Sequence, residues 1–256
     1  MSESCLDADI ISGLLNGGLG ISVSVYDCVS STNALGKSLP AGVPPTVIVA
    51  REQTAGRGRF DRRFDSARDA GLYMSICYTP KKSLTPSEIT AAAGVAVCLA
   101  IERQTGESPK IKWVNDIYFE NKKLAGILAE GVFSEDGSLS RAIVGIGINV
   151  RKRKFPREIE GIATSLEDAY GRAVDINRLC ADTVNLFFSL TEHTPRAMSL
   201  YKSLSLVIGR HITVHTQNGC YGALAQDIDD SGSLVVLLED GEIQKICSGE
   251  ISIRLA

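Results

Sequence analysis

The segment Gln53-Thr54-Ala55-Gly56-Arg57-Gly58-Arg59 follows the apolar run Thr46-Val47-Ile48-Val49-Ala50 and reads as a loop leaving the end of a buried strand. Its two glycines free the backbone to curl N–H groups toward a ligand, and its two arginines add permanent positive charge. That is the chemistry of an anion site for a phosphate or a carboxylate. Local residue content alone also admits an exposed hairpin with solvated arginines. A second group, Lys110-Ile111-Lys112-Trp113-Val114-Asn115-Asp116 with Lys123 just beyond, gathers ammonium, amide and carboxylate groups near a turn. In isolation it reads equally as a site or as an ordinary strand with polar turn residues. Asn149 closes a strand bearing Gly145 and Gly147, and glycine within a strand often marks close approach by backbone or ligand. Ser30-Ser31-Thr32-Asn33 has the composition of a helix N-terminus, a place for an anion or a polar ligand.

The elements that must position these residues follow from periodicity. Ile21 to Tyr26 alternates apolar and polar residues like a half-buried strand, and Leu72 to Tyr78 reads as another. Thr85-Pro86-Ser87-Glu88 is a capping box with proline at the first helical position, and the alanine-rich segment behind it, through about Gln104, predicts a buried helix. Lys110 to Val114, Ile117 to Glu120 and Lys123 to Phe133 predict short strands, with Asn121-Lys122 as a tight turn. Asp136-Gly137 marks the next turn, before a long strand from Leu139 to Val150. Asp175 to His193 and Pro195 to Ser205 carry helical periodicity. From Leu206 onward, short strands alternate with turn signals at Gln217-Asn218-Gly219, Asp230-Ser231-Gly232 and Asp240-Gly241, which predicts a small barrel docked on the main domain. The division falls at residues 1–205 and 206–256.

At 256 residues with 44% hydrophobic content, the chain can build one large core, or a large domain and a small one. A net charge of -3, from 27 basic and 30 acidic residues, argues against a surface given over to nucleic acid. The seven cysteines stand singly, mostly in apolar runs and with no C-x-x-C pair, and read as buried, reduced thiols of a cytoplasmic protein. Met1 to Asp9 is acidic and unlike a signal peptide, and no apolar run approaches membrane-spanning length. Arg151-Lys152-Arg153-Lys154 looks like a nucleic-acid patch but reads more simply as a solvated loop.

Taken in order, Ser31-Thr32-Asn33, Gln53-x-x-Gly56-Arg57-Gly58-Arg59, Lys112-Trp113-Val114-Asn115-Asp116, Lys123-Leu124-Ala125-Gly126-Ile127-Leu128 and Gly145-x-Gly147-x-Asn149 resemble the biotin–protein ligase family. Gly249-Glu250-Ile251-Ser252-Ile253-Arg254 resembles the terminal barrel of that family. The resemblance implies an α+β fold: a mixed sheet with helices, like that of class II aminoacyl-tRNA synthetases, plus a small C-terminal SH3-like β-barrel. It also implies a two-step reaction. Biotin's carboxylate attacks the α-phosphate of ATP to give biotinyl-adenylate and pyrophosphate, and a lysine of a biotin carboxyl carrier protein then displaces AMP. Mg2+ would accompany the ATP.

By similarity, Ser31, Thr32, Asn33, Gln53, Arg57, Gly58, Arg59 and Lys123 would contact biotin. Gly56, Arg57, Arg59, Phe64, Lys112, Asn115, Asn149 and Arg254 would contact the nucleotide. Lys123, Arg57, Arg59 and Asp116 would carry catalysis, Lys123 by offsetting repulsion between two anions and Asp116 also as a candidate magnesium ligand. The chain departs from the family's pattern where Phe60-Asp61 replaces a basic residue and glycine, where Phe64 replaces tryptophan, and where Val114 replaces proline. About twenty residues precede the first strand, too few for an independently folded DNA-binding domain, so a ligase without repressor activity is expected. Neither DNA nor membrane is an expected partner, and pairing through the central sheet would make a homodimer. Lipoate ligation or octanoyl transfer on the same fold, or non-enzymatic sensing of biotin or nucleotide, are the alternatives.

Overall fold

Two runs of unbroken burial, Thr46–Ala50 and Gly71–Tyr78, lie at the centre of the computed structural model, which describes residues 5–60, 62–216, 219–247 and 249–253. In chain order the elements are α1 (Ala8–Leu14), β1 (Ser22–Tyr26), α2 (Thr32–Lys37), β2 (Thr46–Ala50), β3 (Gly71–Tyr78), α3 (Pro86–Thr105), β4 (Lys110–Lys112), β5 (Asp116–Phe119), β6 (Lys122–Phe133) and β7 (Leu139–Asn149). Then follow α4 (Leu166–Tyr170), α5 (Ile176–Glu192), α6 (Thr194–Ser203), β8 (His211–Thr216), β9 (Gly219–Ile228), β10 (Leu234–Leu238), β11 (Ile243–Ile246) and β12 (Glu250–Ile253). Strands β1 to β7 form one mixed sheet in the order β1-β2-β3-β7-β6-β5-β4, in which only β1 and β2 run parallel. Strands β8 to β12 form a second, antiparallel sheet in the order β11-β10-β9-β8-β12. The α+β class expected from the sequence is the observed one.

Side chains alternate across a strand, so β3 and β7 divide their residues between two faces. Leu72, Met74 and Ile76 share one face with Val144, Ile146 and Ile148, and α3 and α5 pack over it as the main core. α3 is buried nearly all round, from Ile89 to Ile101, because it lies between the sheet and helices α5 and α6. Its ends are fixed as the sequence predicts, by the reciprocal Thr85–Glu88 capping box, and by Gly106 in the left-handed conformation at φ 82°. The opposite face is only partly covered. There Leu35 of α2 and Leu39, just beyond its end, pack against Ile48, Cys77 and Ile143.

The second sheet is pinned to the part of the first that carries the polar 110–116 segment. The Ile111 N–H donates to the Leu204 carbonyl at 2.8 Å, and the Leu206 N–H donates to the Ile111 carbonyl at 2.8 Å. Trp113 Nε1 donates to the Gly232 carbonyl at 3.0 Å, and the Tyr201 hydroxyl donates to the Val114 carbonyl at 2.7 Å. Among the described residues, no helix is long and apolar enough to cross a membrane.

Several expectations need correction. Helices α1 and α4 and strand β11 carried too few periodic residues to register in the sequence. The strand from Lys110 ends at Lys112 rather than Val114, and the turn before β6 falls at Glu120-Asn121, with Glu120 at φ 51°. Part of the Gln217-Asn218-Gly219 turn lies outside the described residues. Cys77, Cys98 and Cys180 are buried, but Cys5, Cys28, Cys220 and Cys247 are exposed, because they stand at loops and edges. The basic run is a loop with Lys152 and Lys154 exposed, as expected, but most of its charges are paired. Arg151 pairs with Glu167 at 2.7 Å, Lys152 with Asp168 at 3.5 Å and Arg153 with Asp65, so acidic residues of α4 and of the glycine-arginine loop neutralise it.

The segment preceding β1 is held by buried amides. Asn177, which is 1% exposed, accepts from the Asp7 N–H and donates to the Cys5 carbonyl, each at 2.9 Å. Asn177→Ala strands both groups and is expected to lower stability by about 1–3 kcal/mol, read as an earlier urea midpoint. An unchanged midpoint would contradict this account of α1 docking.

Candidate active site

On the open face of the sheet, register places the chemistry-bearing residues in two neighbouring rows. One runs Lys112, Asp116, Gly126, Gly147, Tyr73 and Ala50 across six strands. The next, two residues along, runs Leu128, Gly145, Ser75 and Ile48. Three glycines thus leave a hollow in the middle of the sheet face. A Cβ at Gly145 would lie 2.3 Å from Asn33 Oδ1, and one at Gly147 would lie 2.5 Å from the Phe64 ring. The glycines expected to mark close approach do so, to side chains from α2 and from the glycine-arginine loop.

Ser31 caps α2, accepting from the Ala34 N–H at 3.4 Å. The Thr32 N–H donates to Gln53 Oε1 at 2.9 Å, and Gln53 Nε2 donates in turn to Ser66 Oγ at 2.9 Å. At this helix N-terminus, expected to take an anion or a polar ligand, the Thr32 and Ala34 N–H groups are engaged by Gln53 and Ser31. Asn33 is 4% exposed and fully engaged, with Oδ1 2.6 Å from Ser75 Oγ and Nδ2 donating to the Leu128 carbonyl at 3.2 Å and to Glu130 Oε2 at 2.7 Å. At the other end of α2, buried Arg141 donates to the carbonyls of Gly36, Leu39 and Pro40.

The glycine-arginine loop is a hairpin. Arg57 bridges to Arg63, the Gly58 N–H donates to the Arg62 carbonyl at 2.7 Å, and the Phe64 N–H donates to the Gly56 carbonyl at 3.0 Å. The expectation of backbone N–H groups turned toward a ligand thus fails at Gly58, whose N–H closes the hairpin. Gly56 is small because a Cβ there would meet the Phe64 carbonyl at 2.5 Å and Ser66 Oγ at 2.7 Å. Beside it, Arg57 and Arg59 line the cavity. Phe60 takes the left-handed conformation at the tip, φ 54°, and Arg59 lies over its ring while donating to Asn115 Oδ1 and the Gly249 carbonyl, each at 3.3 Å. Asp61 and Arg254 lie outside the described residues.

Lys123 owes its direction to a slip in register. Ile117 pairs with Ala125 but Tyr118 pairs with Lys123, so Leu124 is an extra residue on β6. This bulge buries Leu124 and Ala125 in succession and brings Lys123 onto the face of Gly126, where a Cβ would stand 3.3 Å from Lys123 Nζ. Lys123 Nζ lies 2.6 Å from Asp116 Oδ1, and its backbone is fixed by the Ile162 carbonyl and the Thr164 N–H. Asn115 is fixed by reciprocal bonds with Ile127 at 2.8 and 2.9 Å. Lys112 extends over the Tyr118 ring, its Nζ 5.3 Å from the centroid.

These groups line a single cavity of about 440 Å3, within the range of small-molecule sites. Of the residues singled out in the sequence, Ser31, Thr32, Asn33, Gln53, Arg57, Gly58, Arg59, Phe64, Lys112, Asn115, Asp116, Lys123 and Asn149 all line it; Gly56 supports its loop from behind. Sequence reasoning missed Ser75, Glu130 and Lys37. A serine inside an otherwise apolar strand was the available signal for Ser75. Burial pushes the Glu130 carboxyl up, but hydrogen bonds from Lys37 and Asn33 and the charges of Lys37 and Arg57 outweigh it, holding the group below its ordinary range.

Residues 25–149 match the biotin/lipoate A/B protein ligase family, and residues 207–254 match the biotin protein ligase C-terminal domain. The bifunctional ligase/repressor BirA of Bacillus subtilis is 37% identical over 260 residues, covering 96% of this chain and 78% of that protein. The biotin–[acetyl-CoA-carboxylase] ligase of Mycobacterium tuberculosis is 29% identical over 206 residues, covering 76% of this chain and 74% of that protein. In structure, the biotin protein ligase of Aquifex aeolicus, solved in complex with biotin and ATP, superposes with a TM-score of 0.77 at 30% identity, covering 91% of this chain and 99% of that one.

The contact between Gly145 and Asn33 is testable by stability alone. Gly145→Ala is expected to cost about 1–3 kcal/mol by overpacking, measured from urea unfolding. Combined with Asn33→Ala, which removes the atoms struck, the cost should fall short of the sum of the single changes. Strict additivity would show that the two residues do not meet.

Proposed function

The chain belongs to the biotin protein ligase family, and from that premise we propose that it activates biotin with ATP in this cavity and transfers it to a lysine of a biotin carboxyl carrier protein. The observation that carries the reading is the Lys123 ammonium, aimed by the Leu124 bulge to the place where the glycine floor meets the arginine hairpin. The floor suits an apolar bicycle, the hairpin suits anions, and a fixed cation between them suits the junction of two negatively charged reactants.

In the first step a biotin carboxylate oxygen bonds to the α-phosphorus of ATP as the bond to the pyrophosphate oxygen breaks. Lys123 offsets the repulsion between carboxylate and phosphate and stabilises charge that develops on the transferring group. Arg57 and Arg59 close over the resulting biotinyl-adenylate, and Ser31, Thr32 and Gln53 bind the polar atoms of biotin. Phe64, seated on Gly147, offers a ring face to adenine beside Lys112, Asn115 and Asn149. In the second step the carrier's lysine amine attacks the acyl carbon, AMP leaves, and the amine loses a proton. Asp116, held against Lys123, is the carboxylate available to orient that amine.

Magnesium fits this site as an ion that arrives on the nucleotide. Among the described residues no cluster of three metal-binding side chains exists, so most of its ligands would be phosphate oxygens and water, with Asp116 as the protein carboxylate at hand. When bound it would screen the phosphates. The use of ATP fits a cytoplasmic setting. The division near residue 205 into a catalytic and a C-terminal unit is supported by the two separate sheets and by the two family matches.

Incubation with ATP, magnesium, biotin and a biotin carboxyl carrier domain is expected to add one biotinyl group to the carrier, read by intact mass. Lys123→Ala should keep the wild-type unfolding midpoint yet slow adenylate formation by roughly 10²–10³-fold, as loss of one electrostatic stabiliser does. Unchanged turnover in that variant would remove Lys123 from the mechanism.

A further inference from the structure

The turn between β9 and β10 reaches across to the wall of the cavity, and Asp229 builds it. Its Oδ1 accepts from the Ser231 N–H and the Ser233 N–H, each at 3.0 Å, and from the Ser231 hydroxyl at 2.6 Å. Its Oδ2 accepts from Lys245 of β11 at 2.9 Å. Gly232 takes the left-handed conformation at φ 82°, and a Cβ there would stand 2.8 Å from Ser87 Cβ at the start of α3. Shaped by Asp229 and seated against α3, the turn aims the Gly232 carbonyl at Trp113, whose indole N–H donates to it at 3.0 Å in buried surroundings.

Trp113 stands where the sheet stops giving support. β4 is an edge strand of three residues that ends at Lys112, so its ladder does not continue through Trp113, Val114 and Asn115. Those residues are held instead by the Gly232 carbonyl on Trp113, by Tyr201 on the Val114 carbonyl and by Ile127 on Asn115. Trp113, Asn115 and Asp116 all line the cavity.

We propose that Asp229 is a positioning residue for the nucleotide half of the site: by shaping the β9–β10 turn it places the Gly232 carbonyl, and through Trp113 it sets Asn115 and Asp116. Asp229 does not itself line the cavity. The inference rests on the biotin and ATP reading above and gives the C-terminal unit a share in binding the nucleotide. Its effect is confined to that half. Thr32, bonded to Ser75 of β3, stands three strands from β5 in the sheet, and none of the turn's hydrogen bonds reaches it.

The test compares two constants in the full chain: the Kd for biotin by calorimetry without ATP, and the KM for ATP from biotin-dependent pyrophosphate exchange with magnesium. Asp229→Ala is expected to raise the KM for ATP about tenfold, the worth of one lost buried hydrogen bond, and to leave the Kd for biotin unchanged. Asp229→Asn keeps an oxygen that can accept the three turn bonds, so it should return the KM toward the wild-type value. Trp113 is the only tryptophan in the chain, so its indole N–H gives a single signal in a nitrogen-15 spectrum. Solvent exchange of that proton should quicken in Asp229→Ala and stay slow in Asp229→Asn. If Asp229→Ala does not fold, Trp113→Phe, which keeps an aromatic ring and lacks the donor, carries the same expectation for the two constants. A merely structural role would weaken biotin and ATP alike. That result, or an unchanged KM for ATP beside a fast-exchanging indole, overturns the inference while leaving the ligase reading intact. Absence of biotin binding to the wild type would instead overturn the reading on which it rests.

Discussion

Everything at the site depends on a place where side chains are missing. Gly126, Gly145 and Gly147 meet on one face of the sheet, and the two positions most tightly filled from above receive Asn33 and the Phe64 ring. A methyl group at Gly145 would lift α2 off the sheet, and one at Gly147 would displace the return strand of the arginine hairpin. The hollow therefore brings together two segments far apart in sequence and leaves between them the cavity that both line. The opposite face of the same strands carries Ile146, Ile148 and Met74 into the main core, so this floor is backed by dense packing and cannot sag.

Charge is arranged around the hollow with equal economy. Lys123 and Asp116 form a close pair at one side, and Lys37 and Glu130 form another beyond Asn33. The first pair lines the cavity, with Lys123 beside Gly126 on its floor. The second lies behind the wall, where Glu130 accepts from the Asn33 amide. Arg59 ties the hairpin to Asn115 and to the Gly249 carbonyl, so the C-terminal sheet touches the site it would otherwise only flank.

Much of this was legible in the sequence wherever a residue type carries its own constraint. Glycines within a strand marked Gly145 and Gly147, and the Thr85–Glu88 capping box marked the start of α3. The family resemblance identified Lys123, but not why it faces the cavity, because the Leu124 bulge depends on pairing with β5. Ser75 and Glu130 stayed hidden because their partners lie 42 and 97 residues away, beyond any local pattern. The reading of the loop as a curl of N–H donors failed for a related reason. Gly58 finds its partner in Arg62 because Phe60 accepts a left-handed turn, which the composition of the loop did not announce.

The central claim is that this cavity joins biotin's carboxylate to the α-phosphate of ATP. Exchange of labelled pyrophosphate into ATP, run with magnesium and separately with biotin, lipoate and octanoate, addresses that step without a carrier protein. The account predicts exchange that requires biotin and is absent with the other two acids. Exchange with lipoate or octanoate but not with biotin would contradict it.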